Sequence, residues 1–137
     1  MRKALSIVGI ALVVLSLATL AGCDWLKGLL GIPIEVGVIA WDKDPTEWRA
    51  NGGSIYVVTL PAGGATYEIW GTDIYTDDSP IGTAAIHAGL IPDTATGGTV
   101  AIRILPGQAS YTGSLRNGIT SSDYAAWDGS FEFVTEL

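Results

Sequence analysis

The segment from Tyr75 to Ile91, YTDDSPIGTAAIHAGLI, constrains the fold more than any other part of the chain. It carries the punctuation of one short helix. Ser79 suits the N-cap, because its hydroxyl can accept from a free first-turn amide. Pro80 follows at the first helical position, where a missing N–H costs nothing. Asp77 and Asp78 place negative charge near the positive end of the helix dipole. Gly89 fits the left-handed residue just past the end. At about 100° per residue, Ile81, Ala84, Ala85, Ile86 and Ala88 cover most of the circumference. Only Thr83 and His87 interrupt them, as neighbours at i, i+4. A helix that is apolar nearly all round is buried, not laid on a surface. The expected fold class is therefore α+β, with one central buried helix wrapped by short antiparallel strands and sheets.

The N-terminus bears on location. Arg2 and Lys3 precede an uncharged run from Ala4 to Gly22. A positive n-region before an apolar h-region is the pattern of a secretory signal. The run is also just long enough to span a bilayer, so an uncleaved anchor helix is the other reading. Leu20-Ala21-Gly22-Cys23 resembles a bacterial lipobox, which implies cleavage before Cys23 and a lipid on that cysteine. Both readings tether the domain outside the cytoplasm, on the periplasmic or surface side of the cell envelope. Residues 1–22 thus read as a lipoprotein signal peptide, 23–33 as a lipid-anchored tether and 34–137 as a single globular domain. Within the tether, Trp25 suits a membrane interface; a flexible spacer is the plainer reading. Asp24 resembles an inner-membrane retention signal of some bacterial lipoproteins, and the choice of membrane stays open.

Removing residues 1–22 leaves five basic against fourteen acidic residues, a net charge of −9. Such a domain is a poor partner for nucleic acid or for any anionic surface bound by bulk charge. Cys23 is the only cysteine. Once it is acylated, the domain has no disulfide, no thiolate nucleophile and no cysteine metal site. It must hold together by packing alone.

The remaining segments alternate as strands and turns. Ile34 to Trp41, Ser54 to Leu60, Thr66 to Gly71, Thr99 to Leu105 and Ser130 to Thr135 read as strands from β-branched content and period-two alternation. Tyr111 to Leu115 and Gly118 to Ser121 read as shorter ones around the turn Arg116-Asn117-Gly118. Asp42 to Gly53 is a polar loop, and Pro61 to Gly64 and Pro106-Gly107 are turns.

An ordered series of residues now stands out: Trp70-Gly71-Thr72, Tyr75, Ser79, Ala84-Ala85, His87-Ala88-Gly89 and Ile91. It continues through Gly97-Gly98, Leu105-Pro106-Gly107, Tyr111, Gly113-Ser114, Asn117-Gly118, Ser121 and Ser130-Phe131. This series resembles the LCCL domain, over about residues 54–135, with residues 23–50 outside it. The resemblance implies a central helix between β-sheet layers. It makes Trp70, Tyr75, Ser79, Ala84, Ala85, His87, Gly89, Gly98, Asn117, Gly118 and Phe131 residues of a structural motif. It also implies a departure. Animal members typically carry two disulfides, one of them on the helix. The helix position corresponds to Gly82 here, and a cysteine pair is replaced around Leu60 to Gly64. Each lost bridge is ordinarily worth ~2–4 kcal/mol. Close approach of a strand to the helix at Gly82 is the expected compensation.

Candidate chemistry is sparse. His87 is the only histidine. A catalytic base needs a nucleophile and an orienting group in reach, and no G-x-S-x-G motif is present. On a buried helix, His87 is expected to satisfy core polar groups. One histidine without thiols does not make a usual zinc set. Asp73, Asp77 and Asp78, or Asp42 and Asp44, offer oxygens to calcium without the twelve-residue loop spacing. No cofactor and no metal is expected.

The aromatics carry more information. Exposed rings would form a stacking surface for sugar or for a partner protein. Trp48 and Trp127, in loop-like stretches, are the candidate ligand-binding residues; the others fill the core around a helix of small residues. The resemblance implies extracellular recognition; lipopolysaccharide or another glycan has been suggested as ligand for the family, and only binding, not the ligand, carries over to this chain. The acidic charge disfavours an anionic glycolipid unless a cation bridges. The expected function is non-enzymatic binding by a lipid-anchored envelope protein. The alternative is a structural envelope protein that docks on another protein.

Overall fold

The computed structural model describes residues 24–137. The expected signal peptide and Cys23 lie outside the described residues. Helix α1 spans Asp24–Leu30, within the segment read as a tether. Strand β1 (Ile34–Val38) follows, then a 3-10 turn at Thr46–Trp48 and strand β2 (Ile55–Leu60). Short strands β3 (Gly71–Thr72) and β4 (Ile74–Thr76) lead to helix α2 (Ile81–His87). Strand β5 (Gly98–Gln108), the hairpin β6 (Leu115–Arg116) and β7 (Ile119–Thr120), and strand β8 (Trp127–Val134) complete the chain.

Six strands form one sheet in the order β1-β2-β5-β8-β4-β3. The sheet is mixed, because β1 runs parallel to β2 while the other neighbours are antiparallel. A parallel pair needs a crossover connection, and residues 39–54 supply it. One face of the sheet carries Val58, Leu60, Ile102, Ile104, Tyr75 and Phe131, all buried. Ile81, Ala84, Ala85 and Ile86 of α2 join that core.

All seven residues of α2 are buried. Irregular chain and the small hairpin, rather than a second large sheet, meet its remaining polar groups. Thr83 Oγ1 accepts from Tyr67 N at 2.9 Å, and Asn117 Nδ2 donates to the His87 carbonyl at 2.9 Å. The C-terminus closes as expected. Gly89 is left-handed (φ 81), with Gly89 N bonded to Ile86 O and Leu90 N to Ala85 O, which is a Schellman closure.

The N-terminus of α2 differs from the expectation. The helix starts at Ile81 with Pro80 as its cap residue, and no side chain caps it. The first amide, Ile81 N, bonds instead to Lys43 O at 2.9 Å. The Ser79 hydroxyl is turned away, where it accepts from Trp70 N at 3.0 Å and pairs with Thr76 Oγ1. Asp77 is directed to Arg49, not to the helix end.

Two other expectations change for physical reasons. Residues 66–69 form no strand, because hydroxyls of Thr83 and Ser79 take the Tyr67 and Trp70 amides that a ladder would use. Pro106-Gly107 does not turn the chain but continues β5, paired with β8. There β2 has already ended, at the Ile55–Arg103 pair. Proline tolerates such a one-sided position, since its missing N–H leaves no partner unmet.

Gly82 is closely approached, but by side chains, chiefly the Trp41 indole from the loop after β1, and not by a strand backbone as expected. A Cβ there would lie 2.5 Å from Trp41 Cε3, 2.8 Å from Cζ3 and 3.0 Å from Leu60 Cδ1. A Cβ on Gly64 would collide with the opposite edge of the same indole. The Trp41 ring thus fills the space between helix and turn, anchored by its Nε1 to Pro61 O at 2.8 Å.

Candidate functional site

The two tryptophans singled out for binding occupy different environments. Trp48 closes the 3-10 turn and stacks on Tyr56, with centroids 4.2 Å apart and planes 9° from parallel. Asn51 Nδ2 donates to Tyr56 Oη at 2.8 Å, which steadies that partner ring. The Lys43 ammonium sits 5.4 Å from the Trp48 centroid. Trp48 is half-buried and packs against the core, so much of its face is already covered.

Trp127 opens β8 and is also half-buried. Its indole Nε1 donates to Asp77 Oδ1 at 2.8 Å. Arg49 grips the same carboxylate in two-pronged fashion, Nε to Oδ2 and Nη2 to Oδ1, each at 2.7 Å. The guanidinium carbon lies 5.6 Å from the Trp127 ring centroid, within cation–π range. Asp77 is almost fully buried. Burial opposes its ionisation, but hydrogen bonds from Arg49 and Trp127 outweigh that cost and hold its carboxyl below the usual range. The same hydrogen bond raises the Arg49 guanidinium above its ordinary value. Gly129 must be glycine here, because a Cβ would strike the Asp77 carboxylate.

Aromatic contact continues from Trp127 to Tyr124, edge-on at 5.7 Å, and from Tyr124 to Trp70 at 6.1 Å. Tyr124 is 40% exposed. Its backbone is pinned to Tyr111 by two hydrogen bonds, of 2.8 and 3.0 Å. Trp70, Tyr124 and Trp127 thus form a strip with Arg49 at one end. No ring contact joins Trp48 to this strip among the described residues. The link between the two tryptophans is Arg49, next to Trp48 in sequence and over Trp127 in space. Reading the sequence missed Arg49, Asp77 and Tyr124 as members of one site. The available signal was the single arginine directly after Trp48, in a domain with few basic residues.

His87 lies away from this strip, fully buried. Its Nε2 is 3.1 Å from Ser114 O, a group that only accepts, so Nε2 donates. Nδ1 pairs with the Tyr75 hydroxyl at 2.8 Å. Tyr75 stacks on Phe131, and burial pushes its phenol up to about 12. Ser114 Oγ bonds Thr72 Oγ1 at 2.6 Å. This network ties β4, α2 and the segment before β6 together. Asn117 and Gly118, both at positive φ (52 and 77), form the tight turn of that hairpin. Gly98 opens β5 against Ile91, while Ala84 and Ala85 are fully buried on α2.

Of the five carboxylates considered for calcium, three are engaged elsewhere, while Asp78 Oδ1 is buried without a hydrogen-bond partner among the described residues. Asp73 pairs with Arg116 at 2.7 Å, Asp44 accepts from Thr46, and Asp77 serves Arg49 and Trp127. Among the described residues, no three histidine, cysteine or acidic side chains gather as a metal-binding group. Also among them, no helix is long and apolar enough to cross a membrane.

The buried motif residues and their spacing define a family. The chain belongs to the LCCL domain family, whose sequence pattern matches residues 40–131, about two thirds of the chain. The match starts well before residue 54, which corrects the boundary expected from the sequence. Trp41 packing on Gly82 and Arg49 reaching Asp77 explain why this earlier segment belongs to the same unit.

Curated relatives include human vitrin, 36% identical over 78 residues, covering 56% of this chain and 11% of vitrin. Cochlin of Cavia porcellus is 38% identical over 102 residues, covering 73% of this chain and 17% of cochlin. A transcriptional regulatory protein of Schizosaccharomyces pombe is 40% identical over 62 residues, 43% of this chain and 18% of that protein. The chain therefore spans under a fifth of the length of these relatives.

Proposed function

We propose that this chain is a non-enzymatic recognition module, held outside the cytoplasm by a lipid on Cys23. The ligand class is a glycan or another cell-envelope component. Its site is the strip of Trp127, Tyr124 and Trp70 with Arg49; Trp48 lies outside it, with one face stacked on Tyr56. One observation carries this reading: Trp127 is locked by Asp77 and Arg49 beside an exposed Tyr124. A rigid aromatic ring next to a partly exposed cation provides a stacking face and a hydrogen-bond donor together, which suits a sugar. The location rests on the chain's own N-terminus, since the relatives' names point to different settings. His87 is a core residue in this reading, not a base.

Titrating envelope glycans while following indole N–H resonances tests it. Shifts at Trp127, abolished by Tyr124→Ala without unfolding, support the site. Silence across a broad glycan array sinks the glycan reading. The protein-docking alternative is favoured by the outer face of the sheet. Val57, Ala101 and Val134 form one cross-strand row there, beside exposed Leu90 and Leu137. Crosslinking through that row to a single protein would favour it over the glycan.

A further inference from the structure

Helix α1 follows Cys23 directly, and its glycine side is held against the domain, where Gly28 and the edge of Leu29 border a cleft with Ala50, Asn51, Gly52 and Ser54. Gly28 packs on Ser54 so closely that a Cβ would overlap the Ser54 hydroxyl. On a helical wheel, Leu26, Leu29 and Leu30 fall within an arc of about 100°. Gly28 lies about 150° from the centre of that arc. Docking the glycine side therefore turns the leucine side away from the domain. Leu29 is 74% exposed and Leu30 55%.

The apolar exposure continues past the helix. Ile32, Val36 and Val38 are exposed along the approach to β1 and on β1 itself. Of the ten large apolar residues exposed among those described, five fall between 29 and 38. Strand β1 is an edge, paired only with β2, and a bulge at Val36 interrupts its register. A bulged edge is a poor template for adding another strand, so a lipid surface fits this face better than a pairing partner.

We infer that α1 and the β1 edge rest on the bilayer and fix the orientation of the domain on it. The inference rests on the lipid-anchor reading of Cys23. A seven-residue helix is about 10 Å long. The headgroup layer of one leaflet is roughly 5–8 Å thick. With an acyl chain at Cys23, Leu29 and Leu30 cannot leave the neighbourhood of that layer. Their burial there adds to the anchor, because one lipid signal alone gives marginal binding. Local charge does not oppose the contact, as Asp24, Lys27 and Glu35 are the only charged residues between 24 and 38.

The test uses the full acylated chain in phosphatidylcholine vesicles that carry a headgroup-level spin-labelled lipid. Leu29→Cys, Val38→Cys and Leu115→Cys are each labelled with an environment-sensitive dye, acylated Cys23 being unreactive. Leu115 is the solvent control, 70% exposed on the β6–β7 hairpin. Labels at 29 and 38 are expected to shift to the blue and to be quenched several-fold more than the label at 115. Adding Leu29→Asp and Leu30→Asp should return the label at 38 to control quenching, with the fold intact because both side chains are exposed. Equal quenching at all three sites, with fatty acid on Cys23, overturns the inference and leaves the anchor standing. A photocrosslink from position 29 to a protein overturns it in favour of that partner. Failure of Cys23→Ser to change fatty-acid incorporation overturns the anchor and the inference together.

Discussion

Replacing Gly82 with alanine tests how tightly the Trp41 indole packs against helix α2. In an unhindered helix the change should stabilise by about 0.5–1 kcal/mol, because alanine loses less chain entropy. Here the new Cβ lies 2.5 Å and 2.8 Å from two Trp41 ring carbons. Carbon atoms prefer about 3.5–4.0 Å, so the indole must retreat by about 1 Å. It has little room, with Nε1 bound to Pro61 O and Gly64 against its other edge. Overpacking of this kind costs about 1–3 kcal/mol. The net expectation is a loss of about 0.5–2 kcal/mol, several degrees in melting temperature. Trp41→Ala should cost about 3–5 kcal/mol by leaving a cavity. In that background Gly82→Ala has nothing to strike, so its effect should become neutral or favourable. A double-mutant cycle by chemical denaturation should then show about 1–3 kcal/mol of coupling. Stabilisation by Gly82→Ala in the native background, or equal cost in both backgrounds, refutes the reasoning.

Three further predictions follow from buried polar groups. Asp77 has a lowered pKa when folded, so its stabilisation is present above the unfolded carboxylate pKa of about 3.9 and is lost as pH falls through the folded value. Asp77→Asn should cost about 1–3 kcal/mol near neutral pH, a figure discounted because Arg49 is over a third exposed. That gap should close in acid, and a gap constant from neutral to strongly acidic pH would falsify the assignment. Tyr75 is raised to about 12, so stability should fall as pH rises above about 10, where the unfolded phenol ionises first. Ultraviolet titration of the folded protein should show one tyrosine lagging, and Tyr75→Phe should remove the lag. His87→Ala should lower the unfolding free energy by about 2–4 kcal/mol, through a cavity and an unpaired Tyr75 hydroxyl; unchanged stability would return His87 to consideration as a functional group.

Much of the helix was legible because its signals are local. The spacing of Ile81, Ala84, Ala85 and Ile86, and Gly89 after them, require only helical geometry and one left-handed residue. The hairpin at Asn117-Gly118 was legible for the same reason. The N-cap was not. Ser79 has the right chemistry, but Trp70 and Thr76 compete for its hydroxyl, and the Lys43 carbonyl reaches the first amide instead. Thr76 is only three residues away, but Trp70 and Lys43 are too distant in sequence to be weighed. The strand reading of residues 66–69 failed likewise, since alternation records side-chain preference and not where the backbone donors go.

The candidate site follows the same division. Sequence alone marked Trp48 and Trp127 as aromatic residues in polar surroundings, and marked His87 as the only imidazole. It also determined the helix, most strands, the acidic charge and the lipobox-like cysteine, since these depend on residue type and short-range spacing. Only the tertiary structure decided that Trp127 belongs with Arg49, Asp77 and Tyr124, and that Trp48 stacks instead on Tyr56. It also decided that Trp41 stands between Gly82 and Gly64. The meetings of Arg49 with Asp77, of Asp77 with Trp127 and of Trp41 with Gly82 join residues tens of positions apart, and their registry depends on how β8, the crossover loop and α2 pack on one sheet. Short-range patterns carry no record of that registry, because it is set by the summed fit of the whole core.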